Sequence, residues 1–213
     1  MISRYRNTPR VRWRARRAPT WVAGCAMAAC LVLAPGSGRA QTDANDDSLE
    51  LIVGLLQEQD REMRALAMQQ VRDAVPGEAA TKRFVDVLPD LAADAQAELL
   101  EALGERGDPA ALPVTLTNLD DENERVRCAA LRALGTLGGE LEVPLLAEKC
   151  GSGTALERAV AVQSLERMRG DKIDAKLVET MQGAEAGVRA ALLGVLATRN
   201  VKEAVPAVLD AAR

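Results

Sequence analysis

Apolar and polar positions recur along this chain with a period of about 31 residues. Arg64, Gln96, Arg127, Arg158 and Arg189 open five matching segments, at steps of 32, 31, 31 and 31. Three positions on stand Ala67, Leu99, Ala130, Ala161 and Leu192; four on, Met68, Leu100, Leu131, Val162 and Leu193; seven on, Val71, Leu103, Leu134, Leu165 and Leu196. Such offsets place the apolar side chains on one face of a helix. The position just after the opening residue is small in every segment (Ala65, Ala97, Cys128, Ala159, Ala190), which predicts that a neighbouring helix approaches closely there.

A second helix precedes each of these, with a late apolar column of Leu56, Leu88, Leu119, Cys150 and Met181. Gly77, Gly107, Gly138, Gly170 and Asn200 fall where helices end, as residues that tolerate the left-handed conformation of a helix terminus. Asp108-Pro109 reads as a helix start, and Pro113, Pro144 and Pro206 share a column near the first turn of the earlier helix, where a tight turn or kink is expected. A period of this length predicts an all-α solenoid, a superhelix in which each hairpin buries its apolar face only against its neighbours. The five hairpins are placed at 48–76, 78–107, 108–139, 140–170 and 171–200, followed by a lone terminal helix at 202–213. Ala204, Val205, Val208 and Leu209 give that last helix an apolar stripe without a successor, a face open to docking either a partner or, by self-association, another copy of the chain.

The ends read differently. Seven arginines between Arg4 and Arg17 precede an uncharged apolar run from Trp21 to Ala34, and Gly38 and Ala40 occupy the small-residue positions of a signal-peptidase site. Residues 1–40 are therefore predicted to be an export signal cleaved before Gln41, which places the mature protein in the periplasm or outside the cell. The apolar run falls short of the ~20 residues needed to cross a bilayer. An uncleaved, signal-anchored form is one alternative and a lipid-anchored form another, since Val22-Ala23-Gly24-Cys25 resembles a lipoprotein box; Arg16-Arg17 resembles a twin-arginine signal, a different export route. Residues 41–47 are acidic, lack an apolar face and are predicted to be disordered; 48–213 form the repeat domain.

Cleavage changes the charge. Without the eight basic residues of positions 1–40, the chain's 27 basic and 31 acidic residues become 19 and 31, a net charge of −12. Nucleic acid and anionic membrane surfaces are repelled by such a chain. It has no His, and Phe84 is the one aromatic residue after position 40, so imidazole chemistry, His-ligated metal and base-stacking platforms are excluded within one chain.

The strings Asp-Pro-Ala-Ala-Leu-Pro-Val-Thr-Leu (108–116) and Val-Arg-Cys-Ala-Ala-Leu-Arg-Ala-Leu-Gly-Thr-Leu-Gly (126–138) resemble HEAT-like repeats of the phycobilisome-lyase type, and Val188-Arg189-Ala190-Ala191-Leu192 repeats the motif more loosely. The resemblance covers roughly 48–213. It implies that Arg64, Arg127, Arg158 and Arg189 are a structural ladder bonding to acidic residues of the turn between the two helices. Asp60 before Arg64, and Asp120, Asp121 and Glu122 before Arg127, fit that role. The turn before Arg158 is Gly151-Ser152-Gly153-Thr154, so the ladder is expected to be incomplete in the fourth unit. Some HEAT-like proteins are bilin lyases, and others are hydroxylases that hold metal through His-Glu pairs; the latter role does not carry over to a chain without His.

Cys128 and Cys150 are a candidate disulfide in an exported protein, although both stand in apolar or small columns where a thiol serves as a compact hydrophobe. Glu98, Glu101 and Glu105 share one helix face and, with Arg132, Gln163 and Arg167, are candidate partner contacts; without a desolvating pocket they have no evident catalytic use. The functional expectation is a non-catalytic exported scaffold, without cofactor or metal, that binds an unidentified protein along its helical groove. The alternative is an enzyme or enzyme subunit of the HEAT-like lyase type.

Overall fold

The computed structural model describes residues 37–202, and the side chains from residue 45 onward. Positions 1–36 of the expected export signal and 203–213 of the expected terminal helix lie outside the described residues. Among the described residues ten α-helices follow one another: α1 (Ser37–Leu56), α2 (Arg61–Asp73), α3 (Glu78–Val87), α4 (Ala93–Arg106), α5 (Leu112–Thr117), α6 (Glu124–Leu137), α7 (Val143–Ser152), α8 (Ala155–Arg167), α9 (Ile173–Gly183) and α10 (Ala186–Thr198). Successive pairs are the five hairpins of the 31-residue period, an α-solenoid. None of these helices is long and apolar enough to cross a membrane.

The apolar columns make the core. All five members of the three-on and seven-on columns are buried, as are Leu56, Leu88, Leu119, Cys150 and Met181 of the earlier helices. Each fully buried Leu contributes about 1.5–3 kcal/mol, and the columns supply such a layer in every unit. In the four-on column, Met68, Leu100 and Leu131 are buried, while Val162 and Leu193 are partly buried.

Helix ends follow their local chemistry. Asp60 caps α2 by accepting from the Glu62 amide at 2.7 Å, Asn123 caps α6 through the Arg125 amide at 2.9 Å, and Thr154 and Glu157 form a reciprocal capping box on α8. Gly107 ends α4 in the left-handed region at φ 73°. Gly138 departs from the expectation, with φ −74°; glycine is needed there for space, because an added Cβ would lie 2.6 Å from the Leu134 carbonyl oxygen. Pro109 and Pro113 break the first helix of the third unit into a 3₁₀ turn (Pro109–Ala111), the short α5 and a second 3₁₀ turn (Asn118–Asp120), whereas Pro144 sits in the first turn of an uninterrupted α7.

Close packing between the second helices depends on a different column from the expected one. A Cβ built on Gly104 of α4 would sit 2.8 Å from the Ala133 Cα of α6, and one on Gly135 of α6 would sit 2.8 Å from the Ser164 Cβ of α8. Of the predicted small column only Ala97 and Cys128 are buried, while Ala65, Ala159 and Ala190 are exposed. The approach therefore comes through Gly104 and Gly135, seven positions further along each helix. Residues 41–47, expected to be disordered, lie in the N-terminal half of α1, which extends the helix anchored by Leu49, Ile52 and Leu56 back to Ser37. The expected cleavage point before Gln41 thus falls within α1.

Candidate functional site

The arginine ladder exists, but its acceptors are main-chain carbonyls. Arg64 Nη1 donates to the carbonyls of Glu58 (3.2 Å) and Gln59 (3.0 Å), and Arg127 Nη1 to those of Asp121 (2.7 Å) and Glu122 (2.9 Å). Arg158 Nη1 donates to Gly153 O at 3.0 Å and Arg189 Nη2 to Ala184 O at 2.9 Å, while Gln96 Nε2 reaches Leu88 O at 3.2 Å. These carbonyls lie in the turn just past each first helix, and a guanidinium there bonds the turn and sets positive charge at the helix C-terminus, opposing its dipole. Because any residue supplies a carbonyl, the acid-free turn before Arg158 does not break the ladder, contrary to expectation.

A second arginine pair escaped the sequence reading. Arg106, at the end of α4, reaches back to the end of α2: Nη1 donates to Val71 O (2.7 Å) and Ala74 O (2.9 Å), Nη2 to Val75 O (2.5 Å) and Nε to Thr81 Oγ1 (2.8 Å). Its guanidinium also lies 5.5 Å from the centre of the Phe84 ring. Arg199, three periods later, does the same for the end of α8, donating to Leu165 O, Glu166 O and Met168 O, with Nε on Asp174 at 2.7 Å. Val75, held by Arg106, has φ 39°, a strained conformation for a β-branched residue. The signal lay in the equal offset of Arg106 and Arg199 and of Thr81 and Asp174, masked because Leu137 and Met168 fill the intervening arginine positions.

Ion pairs run like rungs across the second-helix layer. Glu98, Glu101 and Glu105 on α4 face Arg64 (3.8 Å), Arg132 (2.8 Å) and Arg72, Asp94 faces Arg125, and Arg127 Nε meets Glu157 Oε1 at 2.5 Å. Four of the six candidate partner contacts, Glu98, Glu101, Glu105 and Arg132, are thus engaged within the stack. Gln163 and Arg167 are exposed on α8.

Glu157 is the most enclosed acid of this layer, its side chain 8% exposed. Burial alone would raise its pKa, but the Thr154 amide at 2.8 Å and the Arg127 guanidinium outweigh burial and lower it. Arg127 in turn is raised, chiefly by its bond to Glu157. The node is a charged structural tie between α6 and α8.

Cys128 and Cys150 are both free and buried, so the candidate disulfide is not formed. The physical reason is their placement: Cys128 faces the second-helix layer, at the floor of a groove of about 280 Å³ with Glu101, Arg132 and Leu156, while Cys150 belongs to the core column of a first helix. Burial pushes both thiols up, Cys150 to about 11, which keeps them unreactive near neutral pH. Among the described residues no group of three or more Cys, Asp or Glu is placed to hold a metal ion.

Comparison with known proteins agrees with this geometry. A family model of HEAT repeats matches residues 81–166, from α3 to α8. The fold is similar to that in the structure of the complex of CpcE and CpcF of phycocyanin lyase from Nostoc sp. PCC7120, with TM-score 0.54 and 21% identity, covering 70% of this chain and 98% of that chain. Human deoxyhypusine hydroxylase in complex with glycerol matches with TM-score 0.49 and 18% identity, over 80% of each chain. No curated protein matches. The hairpin stack, its arginine ladder and the matched span together make α3 to α8 HEAT-like repeats, within a chain whose fold is a HEAT-like α-solenoid.

Proposed function

We propose that this protein is a non-catalytic, exported scaffold that binds another protein along the exposed face of its second-helix layer. The observation that carries the reading is where the ion-pair rungs stop. From Arg64 and Arg72 of α2, through α4 and α6, to Glu157 at the start of α8, paired charges tie each second helix to the next. On α8, Leu156, Ala159, Gln163 and Arg167, at offsets of 3, 4 and 4, form one exposed strip, with Leu156 46% exposed. A large apolar side chain beside polar groups not tied into the stack is what a partner can desolvate and bond. Support for export is the arginine-rich start followed by an apolar run and small residues.

The test uses affinity capture from the exporting compartment with wild-type protein and with a Leu156→Glu, Gln163→Glu pair. A protein recovered by the wild type and lost with the variant is expected; equal recovery by both would refute the placement of the surface. N-terminal sequencing of the recovered chain tests export, with Gln41 expected as the first residue. An intact Met1 would overturn it.

A further inference from the structure

Between α7, α9 and the start of α10 lies an open cleft of about 400 Å³. Its apolar surface comes from Pro144, Ala147 and Val188, and its acidic rim from Glu148, Glu179 and Glu185. One cation is present, Lys176, and it bonds to Glu179 at 3.0 Å. Glu148 and Glu185 are exposed and make no ion pair among the described residues.

The repeat shows how the same seam is filled one unit earlier. There Lys149 of α7 reaches across to the preceding unit, its Nζ on the Leu119 carbonyl at 3.4 Å and on Asp120 at 2.7 Å. Thirty-one residues on, the lysine is replaced by Thr180, too short to cross. Gly183, just beyond, has nothing within 4 Å of an added Cβ. Beside the packed α7 and α9 this leaves an open cleft, which keeps an excess of negative charge.

We infer that this cleft seats a basic side chain, arginine or lysine, of a partner protein's exposed segment. The aliphatic stem lies on Ala147 and Val188 and the cationic head meets Glu148 and Glu185, which stand at other positions of the repeat than the Asp120 that holds Lys149. The inference rests on the protein-binding reading above but concerns a different layer, the first helices, so either surface can fail without the other.

The probe is a blocked pentapeptide, Gly-Leu-Arg-Leu-Gly, titrated into the ¹⁵N-labelled full chain, with a citrulline peptide as its uncharged counterpart. Amide shifts at Ala147, Thr180, Gly183 and Val188 are expected with the arginine peptide. Replacing both Glu148→Gln and Glu185→Gln should weaken its binding at least fivefold. Asp86→Asn with Asp90→Asn removes the same charge from exposed positions of the second unit and should change it less than twofold. Equal binding of the citrulline peptide, shifts confined to other helices, or equal weakening by the two double variants would each overturn the inference. Loss of capture by the Leu156 variant with these shifts intact would separate the two surfaces.

Discussion

Arg127→Ala and Asp121→Asn, made separately, distinguish a ladder built on carbonyls from one built on acidic side chains. Arg127 donates twice to main-chain carbonyls, at 2.7 and 2.9 Å, and once to the buried Glu157. Bonds to a charged group contribute about 1.5–3 kcal/mol each when taken singly. They share one side chain that is 21% exposed, so water replaces part of the loss. Against that, truncation leaves Glu157 enclosed with only the Thr154 amide, and breaking a fully buried pair costs about 3–5 kcal/mol. A loss of about 3 kcal/mol results, or roughly 6–12 °C in Tm for a domain of this size. Asp121 uses its carboxylate only to accept from the Asn123 amide at 2.7 Å, a role that the asparagine side-chain oxygen keeps. Its substitution should stay within about 0.5 kcal/mol. Thermal and urea unfolding followed by far-UV circular dichroism is the assay, since Trp13 and Trp21 both lie in the expected signal. Unchanged Tm in Arg127→Ala, or equal losses in the two variants, would refute the carbonyl ladder.

Glu157 has a lowered pKa in the folded state, so its contribution is present above the ordinary carboxylate value of about 4.3 and is lost as pH falls through the lower folded value. The stability gap between wild type and Glu157→Gln, measured by urea unfolding from pH 7 to pH 3, should therefore narrow below pH 4; a constant gap refutes this. Gly135→Val should cost about 1–3 kcal/mol by overpacking against Ser164, whereas Gly194→Ala, with nothing within 4 Å of the new Cβ, should gain about 0.5–1 kcal/mol in helix propensity. Chemical denaturation checks the pair, and a reversed order would contradict the assigned packing. Arg106→Met removes three bonds between the first two units and one within the second; faster proteolysis near Val75 than elsewhere is expected, read by mass spectrometry of early fragments. Uniform cleavage along the chain would show that the clamp is dispensable.

Much of the architecture was legible because a 31-residue period forces the same column to face the same neighbour five times. The buried columns and the hairpin boundaries after the first helix follow from that alone, whereas α1 begins at Ser37, ahead of the expected 48. What escaped has no periodic signature. Main-chain carbonyls are invisible in a sequence, so the acids before Arg127 seemed to be its acceptors, and the Gly-Ser-Gly-Thr turn seemed to lack one. Gly104 and Gly135 set the closest helix contacts, but their column holds Arg72, Glu166 and Ala197 in the other units and does not look small. Arg106 and Arg199 were hidden by the two apolar residues between them. At the candidate surface, sequence could place Glu98, Glu101 and Glu105 on one face but could not show that arginines of adjacent helices already occupy them.

The contrast between Gly104 and Gly135, each jammed against the next helix, and Gly183, Gly187 and Gly194, each with empty space in front of it, has a mechanical consequence. Bending stiffness in a stacked array depends on how little each seam can shear, and contact at van der Waals distance leaves no room to slide. Shear is therefore blocked by backbone contact between α4, α6 and α8, whereas α10 is held to the stack by other means, the Arg199 clamp on the end of α8 and Val188 packed against Gly151.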